Sequence, residues 1–201
     1  MGKIQQALPV KLIVGVLTSI PELLSETEKE LTTLFGEIDA CSEIFPFDWT
    51  DYYNAEMGSP LYRRFFSFAD LIEAPAVVDA KIAANELEAS MAEKYPGVQR
   101  PVNLDPGYME QAKIVLASTK NFFHRILLDR GIYAEVTLYY QDGRWKFFPW
   151  TFPDYGSEKY HTFFTALREN YRRQLNAAGF EIRIRKEPNR VNRYSTPRQA
   201  V

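Results

Sequence analysis

The sequence predicts an α+β fold in which antiparallel strands form one or more sheets with helices packed against them. Three observations support this class. Short apolar runs of strand length alternate with segments that have helical spacing. Asp142-Gly143 joins two alternating segments, a strong hairpin signal. Hydrophobic residues make up 46% and charged residues 25% of the 201 residues, which is typical of a globular domain.

The first half reads strand, helix, strand, strand, helix, strand. Val10–Leu17 is a continuous apolar run, which favours a buried strand. Ser19 and Glu22 have capping-box spacing, so a helix is expected to follow and to end near Gly36. The remaining elements are strands at Ile38–Phe47 and Leu61–Phe68, a helix at Asp79–Lys94 and a short strand at Val102–Leu104. This order is the ferredoxin-like βαββαβ arrangement.

The second half leaves one element open. Ser118–Arg130 has helical spacing, but His124–Leu128 also fits a strand that pairs with Ile132–Leu138. The other elements are a strand at Lys113–Ala117, a hairpin from Ile132 to Phe148, a helix that Ser157 caps and a strand after Phe180. The helical interpretation yields a second βαββαβ unit. We therefore expect one globular unit over residues 1–186, with halves at 8–106 and 112–186 and a basic, mobile tail at 187–201.

Charge and cysteine content indicate which binding partners and which cellular compartment to expect. The net charge is -2, and residues 181–201 carry +4, which leaves -6 for the remainder. This balance does not favour binding to nucleic acid or to an anionic membrane. The apolar run Leu12–Leu17 is far shorter than a membrane span. Cys41 has no second cysteine to pair with, so we expect a reducing, cytoplasmic compartment.

The sequence also lacks the motifs of several common chemistries. No phosphate-loop motif, G-x-G-x-x-G, C-x-x-C or H-E-x-x-H occurs. One cysteine and two histidines are too few for a structural zinc site, and no haem is expected. A metal would have to be a hard cation such as Mg²⁺, with Asp105 and Glu135 as its ligands.

Two segments contain the candidate site residues. In the first, Pro106 and Gly107 suit a type II turn that would direct Asp105 and Tyr108 into a cleft. Alternatively, Asp105 accepts hydrogen bonds only within its own turn.

In the second segment, Ser118-Thr119-Lys120 follows an apolar strand, and Lys120 would add charge to an anion site at a helix start. The alternative is a simple cap beside a solvated lysine. Glu135 lies among rings on a strand, where it either pairs with a base, acts as an acid or base, or faces solvent. The expected catalytic residues are Asp105, Glu135 and His124, and the expected ligand-binding residues are Lys113, Lys120, Arg125 and Tyr108.

These residues favour a cytoplasmic protein that binds a small anionic ligand, carrying a phosphate or a carboxylate, in a charged cleft. Whether it is an enzyme stays open, as do the ligand and the oligomeric state. One alternative is a non-catalytic interaction module with an aromatic surface. Its residues would be Tyr52, Tyr53, Trp150, Phe152 and Tyr155. Another is weak nucleic-acid binding through the basic tail, with bases stacked on Phe66 and Phe68 or on Tyr133 and Tyr139.

Several segments together resemble a known family. They include N-L-D-P-G-Y at 103–108, A-K-I-V-L-A-S-T-K at 112–120, G-I-Y-A-E-V-T-L at 131–138 and P-W-T-F-P-D-Y at 149–155. The chain resembles, from about Leu12 to Leu175, a prokaryotic family of domains of unknown function, number four-four-one-six. The resemblance implies no established activity.

Overall fold

The computed structural model describes residues 7–180. In this part of the chain, nine strands and four helices form an α+β structure, which confirms the predicted class. The strands are β1 (Val10–Thr18), β2 (Ile38–Cys41), β3 (Phe45–Phe47), β4 (Leu61–Ile72), β5 (Val102–Met109), β6 (Lys113–Ser118), β7 (Ile126–Asp129), β8 (Ile132–Gln141) and β9 (Arg144–Phe147). The helices are α1 (Glu22–Phe35), α2 (Asn54–Met57), α3 (Val77–Lys94) and α4 (Glu158–Ala177).

All nine strands belong to one antiparallel sheet. Its main order is β2-β4-β1-β5-β6-β8-β7, with β3 also paired to β4 and β9 to β8. Strands β2 and β7 therefore lie at the two edges. The predicted halves share this sheet and meet where β5 pairs with β6.

Helices cover both faces of the sheet, which explains the continuous apolar run of β1. All nine residues of β1 are buried. Val14 and Val16 lie in a core cluster with residues of α1 and α3, whereas Ile13 lies in a second cluster with residues of α4. Because the side chains of a strand alternate between its two faces, a strand between two helical layers has apolar side chains on both faces. The charged exception in β1 is Lys11, whose buried ammonium donates to the carbonyl of Phe68 at 2.6 Å.

The segment 118–130 is not the predicted helix. Strand β7 begins at Ile126 and pairs with β8 across the turn at Arg130 and Gly131, both of which have positive φ. This matches the alternative interpretation of the segment. The apolar residues that have helical spacing do not form a buried stripe, because all four residues of β7 are exposed. The second half therefore does not repeat the first over the described residues, and the strand expected after Phe180 and the tail at 187–201 lie outside them.

Local signals differ in how well they predicted structure. The hairpin at Asp142-Gly143 is confirmed, with φ of 54° and 79°. The Ser157 cap is also confirmed, since its side chain accepts a hydrogen bond from Tyr160 N. The prediction of a capping box at Ser19 is wrong, because Ser19 Oγ instead donates to the carbonyl of Met57.

The predicted type II turn at Pro106-Gly107 is also wrong, because β5 runs through both residues. Pro106 lies opposite Val14 and Gly107 opposite Ile13 in the ladder with β1. Long-range pairing has overridden the local turn preference of these two residues.

Candidate functional site

A cavity opens where β5 and β6 separate. The two strands pair only from Gly107 to Met109 on β5, while Asp105 and Ser118 lie beyond the paired region. Pro106 has no N–H to donate, so it cannot continue the ladder as a donor. The resulting cavity has a volume of about 130 Å³. It is lined by Phe47, Tyr53, Arg63, Lys81, Arg100, Asn103, Asp105, Leu116, Ala117, Ser118, Thr119, Lys120, Arg125, Glu135, Phe152, Asp154 and Tyr155.

A buried arginine organises the β5 side of the cavity. Arg63 on β4 donates through Nη1 to Asp105 Oδ2 at 2.8 Å, and its Nη2 lies 3.8 Å from Asp154 Oδ2. Burial opposes the charge on Arg63, but Asp105 and then Asp154 more than offset it, so the pKa of Arg63 is raised. The contact crosses β1 at Gly15, where a Cβ would lie only 3.1 Å from Arg63 Nη1.

The two aspartates next to Arg63 have opposite pKa shifts. Burial raises the pKa of Asp154, and the attraction of Arg63 offsets this only in part. Burial also acts to raise the pKa of Asp105, but Arg63 and then Lys81 outweigh it, so the net shift is downward. Asp154 is only 2% exposed, whereas the side chain of Asp105 is 28% exposed. Asp154 is therefore the carboxyl suited to hold a proton, and Asp105 is suited to stay ionised.

Further polar contacts hold β5 in place beside the cavity. Asn103 Nδ2 donates to Asp105 Oδ2 at 2.8 Å. Lys81 of α3 donates to the carbonyl of Leu104 at 2.7 Å, and Glu88 accepts from Leu104 N at 2.8 Å. Arg100 Nη2 pairs with Glu88 at 3.0 Å. These contacts satisfy the backbone of Leu104 on the side where it has lost its neighbour β6.

The β6 side of the cavity is held by a buried carboxylate. Glu135 on β8 accepts from Arg125 Nε at 2.7 Å and hydrogen-bonds to His124 Nε2 at 3.0 Å, both through Oε2. Arg125 Nη1 also donates to Ser118 Oγ at 2.9 Å. The ring of His124 stacks on Trp150, with centroids 5.2 Å apart. This network fixes the start of β7 against the end of β6.

Lys120 is the cation at the edge of this wall. Its ammonium donates to the Tyr52 hydroxyl at 3.0 Å and lies 5.3 Å from the centre of that ring. Within residues 7–180 no carboxylate lies in salt-bridge range of Lys120. Its charge therefore remains available to a ligand.

The structure brings together four of the seven predicted site residues. Asp105, Glu135, Lys120 and Arg125 line one cavity. His124 contributes indirectly, through Glu135.

Lys113 and Tyr108 do not line this cavity. Lys113 pairs with Glu110 at 3.1 Å at the far end of β6. Tyr108 packs on the α3 side of the sheet, beside Val77 and Val78. Because adjacent residues on a strand point to opposite faces, Tyr108 and Asp105, three positions apart, lie on opposite sides of the sheet.

Sequence reasoning missed five polar residues of the lining. The missed residues are Arg63, Lys81, Arg100, Asn103 and Asp154. One signal was present, since Arg63 alternates with Leu61 and Phe65 on one face of its strand, and both of these apolar neighbours are buried. A charge at such a position requires a partner, but the sequence does not say which.

The lining does not fit the predicted Mg²⁺ site. Among residues 7–180 no group of three or more His, Cys, Asp or Glu side chains is arranged to hold a metal. Asp105 and Glu135 are each neutralised by a guanidinium at hydrogen-bonding distance. A cation would have to displace Arg63 or Arg125, so we assign no metal here.

Comparison with known proteins identifies the family but no activity. No helix in the described part of the chain is long and apolar enough to cross a membrane. Neither the curated proteins nor the solved structures contain a significant match. A family model for a domain of unknown function, DUF4416, matches residues 8–171, which include the sheet and every residue of the cavity lining. The chain therefore belongs to this family of domains of unknown function.

Proposed function

We propose that the protein binds a small anionic ligand, carrying a phosphate or a carboxylate, in the cavity between β5 and β6. The supporting observation is an excess of positive charge, carried by Lys120 without a carboxylate partner among the described residues. Of the five cationic side chains in the lining, Arg63 and Arg125 pair with the lining carboxylates, and Lys81 and Arg100 pair with Glu88 next to the cavity, which leaves Lys120 as the unpaired charge within residues 7–180. In a partly buried site this excess favours an anion more strongly than it would in water.

The β6 wall supplies the groups that would contact the anion. Ser118, Thr119 and Lys120 line the cavity in succession, and Arg125 lies beside them. Arg125 donates through Nε and Nη1 to protein acceptors, and its Nη2 has no hydrogen bond within the described residues. An ammonium and a free guanidinium N–H are strong donors to phosphate and carboxylate oxygens.

Isothermal titration calorimetry of the full chain with inorganic phosphate tests this proposal. We expect Lys120→Ala to weaken binding by roughly 10-fold or more, because a hydrogen bond to a charged group contributes about 1.5–3 kcal/mol. Lys113→Ala is the matched control, since Lys113 belongs to the same sheet but pairs with Glu110 away from the cavity. Equal loss in both variants, or none in Lys120→Ala, would refute the assignment.

If the site turns a substrate over, its acid–base groups are the carboxyls beside Arg63. We propose Asp154 as the proton donor, because burial raises its pKa, and Asp105 as the base, because Arg63 holds its pKa down. Glu135 and His124 would act by positioning Arg125.

A second candidate function is self-association through the edge strand β7. Ile126 and Leu127 are 72% and 56% exposed, and Phe123 is 81% exposed. By contrast, the opposite edge strand β2 is tied to α4, since Asn170 donates to Asp39 at 3.0 Å. An antiparallel pair of β7 strands from two copies is self-complementary about a two-fold axis, and it would extend the sheet.

Light scattering tests this second candidate. If β7 mediates a dimer, Leu127→Lys should convert it to a monomer, because a charge on an edge strand opposes pairing. Leu34→Lys, at another exposed apolar position, is the control. Of the aromatic surface predicted from the sequence, Tyr52 and Phe152 are exposed, Tyr53 and Trp150 are half-buried and Tyr155 is buried, so β7 offers the more exposed apolar surface.

We also propose a cytoplasmic location, supported by the lone and exposed Cys41, and a ferredoxin-like first half, supported by the order β1-α1-β2-β4-α3-β5. Nucleic-acid binding would depend on the tail at 187–201, outside the described residues, because Phe66 and Phe68 are buried and cannot stack on bases. Tyr133 and Tyr139 are half-buried, and Tyr139 already packs against Phe148. Equal DNA binding by the full chain and by a chain ending at Lys186 would contradict that dependence.

A further inference from the structure

The two walls of the cavity differ in chemistry. The β6 wall presents Ser118, Thr119 and Lys120, which are donors and a free cation. The β5 wall presents Asp105, whose carboxylate offers an oxygen to the cavity, and Asn103, whose Oδ1 already accepts a hydrogen bond from Arg100. Asp105 Oδ2 accepts from Arg63 and Asn103, while Oδ1 has no hydrogen bond within residues 7–180. A ligand that bridges the cavity must therefore present different groups to the two walls.

The group beside the β5 wall must donate hydrogen bonds. A second anionic group would be repelled by the carboxylate of Asp105, whose pKa is lowered. An ammonium group is also disfavoured, because Asp105 is already paired with Arg63 at 2.8 Å and an ammonium beside it would be repelled by that guanidinium. A hydroxyl donates to Asp105 without adding charge.

We infer that the ligand is a small polyol with one anionic group, a sugar phosphate or a sugar acid, whose anion lies at the Lys120 wall and whose hydroxyls lie at the Asp105 wall. This inference rests on the proposed binding of an anion in the cavity. The volume of about 130 Å³ is roughly ten times what one water molecule needs. That space suits a chain of three to five carbons with its anionic group.

Calorimetry on the full chain with five probes tests the inference. The probes are ribose 5-phosphate, glycerol 3-phosphate, gluconate, inorganic phosphate and O-phosphoserine. We expect at least one of the first three to bind 10-fold or more tightly than inorganic phosphate. If ribose 5-phosphate or glycerol 3-phosphate binds more tightly than gluconate, the ligand is a sugar phosphate. If gluconate binds more tightly, the ligand is a sugar acid. Tighter binding of O-phosphoserine than of glycerol 3-phosphate would overturn the inference in favour of an amino group.

A variant separates this inference from the proposed anion binding. We expect Asp105→Asn to reduce affinity for the tightest polyol by about 10-fold without weakening the binding of inorganic phosphate, because the variant removes a negative charge from the cavity. Suppose that inorganic phosphate binds, that Lys120→Ala weakens this binding, and that the polyols bind no more tightly than phosphate. These results would support the anion site and refute the polyol inference. If none of the probes binds, both fall. If Asp105→Asn does not fold, the wild-type ranking of the probes still decides.

Discussion

Arg63 Nη1 and Asp105 Oδ2 form a 2.8 Å ion pair across a strand that belongs to neither residue. Arg63 lies on β4 and Asp105 on β5, with β1 between them. The pair passes over Gly15, which lies opposite Asp105 in the ladder and has no side chain to obstruct it. The positive charge of Arg63 on β4 thereby lies next to the cavity at β5.

Replacing Arg63 should be strongly destabilising. Arg63→Met leaves Asp105 and Asp154 buried without their cation, and breaking a buried pair in this way costs about 3–5 kcal/mol. Adding Asp105→Asn and Asp154→Asn should recover part of that loss. Urea unfolding measures each free energy of unfolding. Arg144→Met, at an exposed position on β9, should change it by about 0.5 kcal/mol or less. A triple variant no more stable than Arg63→Met would contradict the ion-pair account.

Gly107 should not tolerate a side chain. A Cβ there would lie 2.3 Å from the carbonyl oxygen of Val115 and 2.7 Å from Leu116 Cδ2. Gly107→Ala therefore forces β5 away from β6, and we expect a loss of roughly 1–3 kcal/mol or more in unfolding free energy. Gly97→Ala is the matched control, because nothing lies within 4 Å of its added Cβ. Equal stability of the two variants would show that the strands approach less closely than described.

Asp154 should make the protein less stable as pH rises. Because its pKa is raised on folding, the native state holds this proton more tightly than the unfolded state, so stability falls with increasing pH above the ordinary value of 3.8. Asp154→Asn removes that loss. Its stability relative to wild type should therefore increase from pH 4 to pH 7 in urea unfolding. Glu93→Gln, at an exposed position, should show no such trend. A constant difference between Asp154→Asn and wild type would rule out this titration.

His124 should hold the segment before β7 in place. It stacks on Trp150 and hydrogen-bonds to Glu135, so His124→Ala should raise amide hydrogen exchange at 119–126 by about tenfold, the effect of losing roughly 1–1.5 kcal/mol. Exchange mass spectrometry measures this directly. The control is His161→Ala, whose ring nitrogen hydrogen-bonds to the Tyr155 carbonyl and should affect that turn instead. Unchanged exchange at 119–126 in His124→Ala would contradict the role.

The sequence by itself determined the elements whose burial pattern is regular. The continuous apolar run predicted β1, and the apolar stripe at helical spacing predicted α4. Both predictions are correct because β1 is buried on both faces and α4 is buried along one face. The hairpin at Asp142-Gly143 was also predictable, since positive φ at both positions is a local requirement. The sequence also singled out four cavity residues, Asp105, Lys120, Arg125 and Glu135, as charges that lie between short apolar runs.

Only the tertiary structure decided how β5, β6 and β7 are arranged. Pro106-Gly107 has the local preference of a turn, yet pairing with β1 makes it part of a strand. Ser118–Arg130 has the spacing of a helix, yet its apolar residues cover no core. Arg63, Arg100 and Asp154 come from separate parts of the chain, and their convergence depends on strand order and register. Local composition contains no information about that register, because pairing energy comes from contacts between residues far apart in sequence.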